Sequence, residues 1–99
     1  MDEEKKRGES TVFIGTKPFM NYVTSVIMQF TTGEKSLVTI KARGKFINRA
    51  VDVAEVVMKR FLKDKIINVE SIKIDSEELE NKSGKKMNVS TIEIALRKE

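Results

Sequence analysis

Residues 41–45 read Lys-Ala-Arg-Gly-Lys, and Arg49 follows one helical turn later. Lysine and arginine side chains supply fixed positive charge and several N–H donors, which is the chemistry that holds phosphate oxygens. Residues 35–60 carry seven cations (Lys35, Lys41, Arg43, Lys45, Arg49, Lys59, Arg60) against Asp52 and Glu55, a local net of +5 where the whole chain has +4. The charge is therefore concentrated rather than spread. A second basic turn, Gly15-Thr16-Lys17-Pro18, lies earlier in the chain, and it lacks the glycine spacing of a nucleotide-binding phosphate loop. A third cluster, Lys82, Lys85 and Lys86, surrounds Gly84.

Other chemistry is poorly supplied. The chain has neither histidine nor cysteine. It therefore lacks the commonest general base, thiolate metal sites and disulfides, and its serines and threonines have no imidazole to activate them. Asp52 and Glu55 stand one helical turn apart and could in principle hold Mg²⁺. Surface pairing with Arg49 and Lys59, at spacings of three and four, is the better use of them. No catalytic residue, metal site or cofactor is expected.

The elements that must position these cations follow from periodicity. Residues 11–14 (Thr-Val-Phe-Ile) form a short apolar run closed by Gly15, consistent with a buried strand. Pro18 suits a helix start, and Phe19, Tyr22, Val23, Val26, Ile27 and Phe30 make one apolar stripe on a helix over about 18–31. Residues 36–42 alternate, with Val38, Ile40 and Ala42 on one face of a second strand. Ile47, Ala50, Val51, Ala54, Val57, Met58 and Phe61 trace a second helical stripe through about residue 62. Residues 66–74 read as a third strand with Ile72 and Ile74 facing the core. Residues 89–96 read as a fourth, with Ile92, Ile94 and Leu96 inward. The order β-α-β-α-β-β predicts an α+β, two-layer sandwich whose first two strands are parallel. Residues 75–88 hold few apolar side chains, so the last two strands should project as a β-hairpin arm.

In a parallel βαβ unit, the loops after the first and second strands share one sheet edge, where ligands usually bind. Each leads into a helix N-terminus with free N–H donors. Lys17, Arg43, Lys45 and Arg49 should thus converge on one phosphate-binding border. A solvated charged rim remains the competing reading. The arm tip could enter a duplex groove or be an ordinary hairpin. Asp75, Glu77, Glu78 and Glu80 would repel phosphate unless they face away. Val53 and Val56 fall off the second helix's main stripe, toward Arg49 and Arg60, and read either as an exposed partner surface or as isolated surface valines. Phe61, near the helix end, suits the core by position.

The 99 residues fit one domain, with residues 1–10 a charged, disordered lead-in and 11–99 the folded part. The hydrophobic fraction of 39% supports a globular core, and a sequence pI near 9.4 favours an anionic partner. Nothing resembles a secretory leader or a membrane span, so a soluble intracellular protein with no membrane partner is expected.

Longer blocks carry a likeness. Residues 14–23 (IGTKPFMNYV), 40–45 (IKARGK), 50–52 (AVD), 60–61 (RF) and 90–94 (STIEI) resemble the archaeal Alba proteins, in order and across nearly the whole chain after residue 10. The resemblance implies the fold shared with the C-terminal domain of translation initiation factor 3. It also implies a homodimer that coats double-stranded DNA, binds RNA and sits on the chromosome in the cytoplasm. Family contacts to nucleic acid fall on Lys17, on Arg43 and Lys45, on Asn48 and Arg49, and on Lys82, Lys85 and Lys86 of the arm. Thr16 replaces the first of two lysines common in the family, which leaves Lys17 as the candidate for acetylation. Phe61 matches an aromatic used in dimer–dimer contacts, which moves it from core toward interface.

Overall fold

The computed structural model describes residues 8–61 and 66–99, the side chain of Phe61 excepted. The elements are β1 (Glu9–Phe13), α1 (Phe19–Phe30), β2 (Leu37–Arg43), a short 3₁₀ turn (Gly44–Phe46), α2 (Ile47–Val56) continued by a π-type turn (Val57–Phe61), β3 (Ile67–Glu80) and β4 (Lys86–Lys98). They form a four-stranded sheet in the order β1-β2-β4-β3. β1 and β2 are parallel, while β4 runs antiparallel to both its neighbours. Both helices lie on one face of the sheet, α1 against β1 and β2, α2 against β2 and β4. This is the expected α+β sandwich.

The core lies between the layers. Val38, Ile40 and Ala42 of β2 and Ile92, Ile94 and Leu96 of β4 meet Tyr22, Val23, Val26 and Phe30 of α1. From α2 come Ala50, Val53 and Ala54, joined by Val57 just beyond it. Ala50, Ala54 and Val57 of the expected second stripe are buried and Ile47 and Met58 pack against the core, so the stripe holds except at Val51, whose place Val53 takes. Val53 has no exposed surface and Val51 is 40% exposed, the reverse of the expectation that Val53 is a free partner residue and Val51 a core one. The cause is degeneracy. Residues 50, 51, 53, 54, 56 and 57 are all apolar, so two adjacent helix faces compete. Ala50, Ala54 and Val57 serve either face, and the sheet lies on the side that takes Val53 and leaves Val51 to solvent. Val56 is half-buried and packs on the edge of this core.

β1 also differs from its reading. It begins at Glu9, so two residues assigned to the lead-in belong to the sheet; residues 1–7 lie outside the described residues. Only Val12 and Ile14 are buried, while Phe13 is 71% exposed. The apolar run is a half-buried edge strand, not a strand covered on both faces.

β3 carries the largest correction. Ile72 and Ile74 are 60% and 78% exposed, not core. They pair with Ile94 and Ile92 and so point to the helix side, but β3 is an edge strand beyond the two helices' main footprint. Glu70 is the extra residue of a β-bulge, between the pairs Val69–Leu96 and Ser71–Ala95. The bulge shifts the alternation by one residue, so Ile67, Val69, Ile72 and Ile74 all share the helix-side face. Arg97 donates to the Glu70 carboxylate and holds it below its ordinary pKa. The strand continues past residue 74 to Glu80, because each residue of the arm finds a backbone partner on β4 from Lys86 onward.

Candidate nucleic-acid interface

Gly15-Thr16-Lys17 follows β1, and Gly44-Lys45-Phe46 follows β2. Parallel pairing puts both turns at the same end of the sheet, and Ile14 N–H donates to the Lys41 carbonyl at 2.8 Å to close that end. Gly44 adopts φ 59°, a left-handed conformation that other residues enter only at a cost, so the chain can turn sharply from β2 into α2.

Two side chains fix the first turn. Tyr22, on the buried face of α1, accepts hydrogen bonds at its hydroxyl from the backbone N–H groups of Gly15 and Lys17, both at 2.9 Å. Arg49, in the first turn of α2, donates to the carbonyls of Gly15 and Lys17. Its guanidinium also lies 6.0 Å from the Tyr22 ring centroid. The Gly15–Lys17 backbone is thus held from both sides, and the loop after β1 is tied to the helix that follows the loop after β2. The expected pairing of Arg49 with Asp52 gives way to this clamp; Glu55 does take Lys59, at 2.6 Å.

Lys17, Arg43, Lys45 and Asn48 are exposed around this clamp. The Lys45 ammonium stands 5.4 Å from the Phe46 ring centroid. Arg43 meets Glu77 of β3 at 3.2 Å. Both side chains are more than half exposed, so the pair is worth at most about 1 kcal/mol and yields readily to a phosphate. Glu77→Gln is accordingly expected to raise affinity for a polyanion up to about fivefold at low salt, read by titration beside the parent protein. Unchanged affinity would mean Arg43 is not at the interface.

The arm tip lies at the far end of β3 and β4, remote in sequence from the two turns. Asn81 organises it: its side-chain oxygen accepts from Ser83 N–H, Ser83 hydroxyl and Lys85 N–H at 3.0, 2.8 and 2.9 Å. Gly84 turns the chain with φ 82°. Lys82 and Lys85 take no ion pair among the described residues, and Lys86 meets Glu78 at 3.6 Å. Two of the acidic arm residues are therefore turned toward the protein's own cations.

Sequence reasoning treated Tyr22 as plain core. The signal was available: a tyrosine on a buried stripe must find a partner for its hydroxyl. Tyr22→Phe is expected to cost about 1–3 kcal/mol in urea unfolding, because two part-buried N–H groups lose their acceptor. Binding should weaken in parallel as the Lys17 loop loosens. Unchanged unfolding and binding would show that the clamp is idle.

Comparison with known proteins places the chain in a family. The Alba family model matches residues 10–76. The chain belongs to the Alba family. It is 51% identical over 90 residues to the DNA/RNA-binding protein Alba of Methanocella arvoryzae, covering 91% of each chain. It is 58% identical over 86 residues to the DNA/RNA-binding protein Alba of Nanoarchaeum equitans, covering 86% of this chain and 93% of the relative. The solved structure of Alba from Thermoplasma volcanium superposes with a TM-score of 0.79 at 45% identity, over 88% of this chain and 98% of that one. The expected membership and fold class are thereby established, and the Gly15–Lys17 turn, β2 and α2 all lie inside the matched family region.

Proposed function

We propose that this Alba-family protein binds double-stranded DNA, and RNA as well, through phosphate contacts that tolerate any sequence. The observation that carries the reading is the Tyr22–Arg49 clamp, which joins the Lys17 turn to the helix behind Arg43 and Lys45. Three exposed cations on two rigid turns at one sheet border suit a polyanion lying across them, and the relatives named above are DNA/RNA-binding proteins. Arg49 acts as a positioning residue, with Asn48 beside it able to reach the same backbone. Lys82, Lys85 and Lys86 extend the contact along the duplex from the arm.

The working unit in this reading is a homodimer. Val69, Ile72 and Ile74 offer an uncovered apolar strip on an edge strand, which a second copy would bury. Two copies double the footprint, and contacts between dimers near Val56 and Phe61 would let the protein coat and compact a chromosome in the cytoplasm. Val53, being buried, takes no part. Acetylation of Lys17 would remove one contact charge and loosen the coat. The role is structural rather than enzymatic. No described helix is long and apolar enough to cross a membrane.

Titration of duplex DNA and structured RNA at several salt concentrations, with the mass measured in solution, tests the reading. With about six phosphates met per dimer, log affinity should fall against log salt with a slope near −5. Salt-independent affinity would exclude the phosphate mechanism.

A further inference from the structure

The sheet has a second face, and neither helix covers it. Cross-strand pairing sets its side chains in rows. Phe13, Lys41, Glu93 and Lys73 form one row from β1 to β3, with Thr11, Thr39, Ala95 and Ser71 in the row beside it. The second row is small, so the surface is low and open. Among the described residues Phe13 is its only aromatic side chain, and 71% of it is exposed. A ring in that position buries little and adds little to stability.

Its neighbours point to a ligand. Phe13 borders a groove of about 580 Å³ that it shares with Gly15, Lys41, Arg43, Glu77 and Glu93. On its other side a smaller hollow of about 300 Å³ includes Lys17 and Tyr22. The ring thus stands between the two cationic turns assigned to phosphates. The Lys41 ammonium lies 5.9 Å from the ring centroid and 3.5 Å from the Glu93 carboxylate. Phosphate is a poor fit for the groove itself, because Glu77 and Glu93 line it. A nucleobase fits better on three counts. Its face stacks on the phenyl ring, its amino groups can donate to the carboxylates, and its own phosphates reach Lys17 and Arg43 on either side.

We propose that Phe13 and the groove beside it form a stacking site for an unpaired base of a single strand. The inference rests on the nucleic-acid reading above and adds a selectivity to it: the sheet border would hold duplex and single strand alike by their phosphates, while the bare sheet face would favour single strands.

The test uses the full chain with Phe13→Thr, Phe13→Tyr and Phe13→Trp. Threonine already occupies neighbouring positions on this face and suits a strand, so Phe13→Thr keeps the fold. Each variant is titrated by fluorescence anisotropy with a short unstructured RNA strand and with a blunt DNA duplex of the same length, at one salt concentration. Phe13→Thr should lose about 5- to 150-fold on the strand, the range of one lost base stack, and stay within about twofold on the duplex. Phe13→Tyr should restore strand affinity. The natural chain has no tryptophan, so Phe13→Trp gives a single reporter whose emission the strand should quench more than the duplex does. Equal losses on both ligands, or no loss on the strand, would overturn the stacking site. So would a change in solution mass without a strand-selective loss, which would make Phe13 a contact between copies. If duplex binding and its salt slope persist through such a result, only the stacking site fails. If the unmodified chain binds neither ligand, the nucleic-acid reading fails with it.

Discussion

Exchanging Lys17, Arg43 and Lys45 together for glutamine is expected to lower duplex affinity about a thousandfold or more near 50 mM salt, and to flatten its salt dependence. The magnitude follows from counterion release. Each phosphate neutralised on B-DNA contributes roughly −0.9 to the slope of log affinity against log salt, so three cations per protomer and two protomers give about −5. A slope of that size alone moves affinity by about three decades between 50 and 200 mM salt. Removing all six charges should leave only the arms' weaker hold and the shallower slope that their lysines supply, while Arg43→Gln alone should shift the slope by roughly 2 in a dimer. The fold is not at risk, because all three side chains are exposed and only Arg43 holds an ion pair among the described residues, a solvent-exposed one. A triple variant whose slope stays unchanged would move the interface elsewhere. Loss confined to one DNA sequence would mean base readout instead of backbone binding.

Arg49 separates contact from support. Arg49→Lys keeps the charge but loses the planar guanidinium whose Nη1 donates to both the Gly15 and Lys17 carbonyls while the group lies by the Tyr22 ring. If Arg49 mainly positions the loop, this charge-conserving exchange weakens binding without altering the salt slope. The sequence marked Arg49 as a cation in the right place. What it could not reveal is that the guanidinium is already engaged by main-chain carbonyls, since those partners are set by the path of a loop more than thirty residues away in the chain.

The same distinction runs through the fold. Alternation in β2 and β4 was legible because one face is buried and the other bare, so each side chain's type reports its side. The parallel βαβ unit was legible from element order alone. The arm was foreseen from the poverty of apolar residues in 75–88, and its continuous pairing through Glu80 follows from backbone bonding, which composition does not encode. β3 misled because its isoleucines mark a face without saying whether anything covers it, and because the bulge at Glu70 changes the alternation midway. Exposed Phe13 misled for a related reason. An apolar run of four looks alike whether the strand is central or at an edge, and only topology makes β1 an edge.

The phase of α2 gives the sharpest test of packing. Val53→Asp is expected to leave the chain largely unfolded, whereas Val51→Asp should cost under about 1 kcal/mol, close to the helix-propensity difference. Val53 is fully buried between α2 and the sheet, so the exchange forfeits about 1.5–3 kcal/mol of apolar burial and adds the cost of a carboxylate with no charged partner. A domain of this size has only about 5–15 kcal/mol in total, and a penalty above about 4–5 kcal/mol consumes much of it. Circular dichroism and urea unfolding of the two variants distinguish the helix phases directly. Were Val53 instead a free surface for a partner, Val53→Asp would fold normally and only lose its partner. A folded Val53→Asp beside an unfolded Val51→Asp would turn α2 by a few tens of degrees about its axis, because Ala50, Ala54 and Val57 face the sheet in either phase. Arg49 lies on the same helix, so that turn would shift its guanidinium relative to the Gly15 and Lys17 carbonyls, and the phase of α2 therefore also sets the clamp.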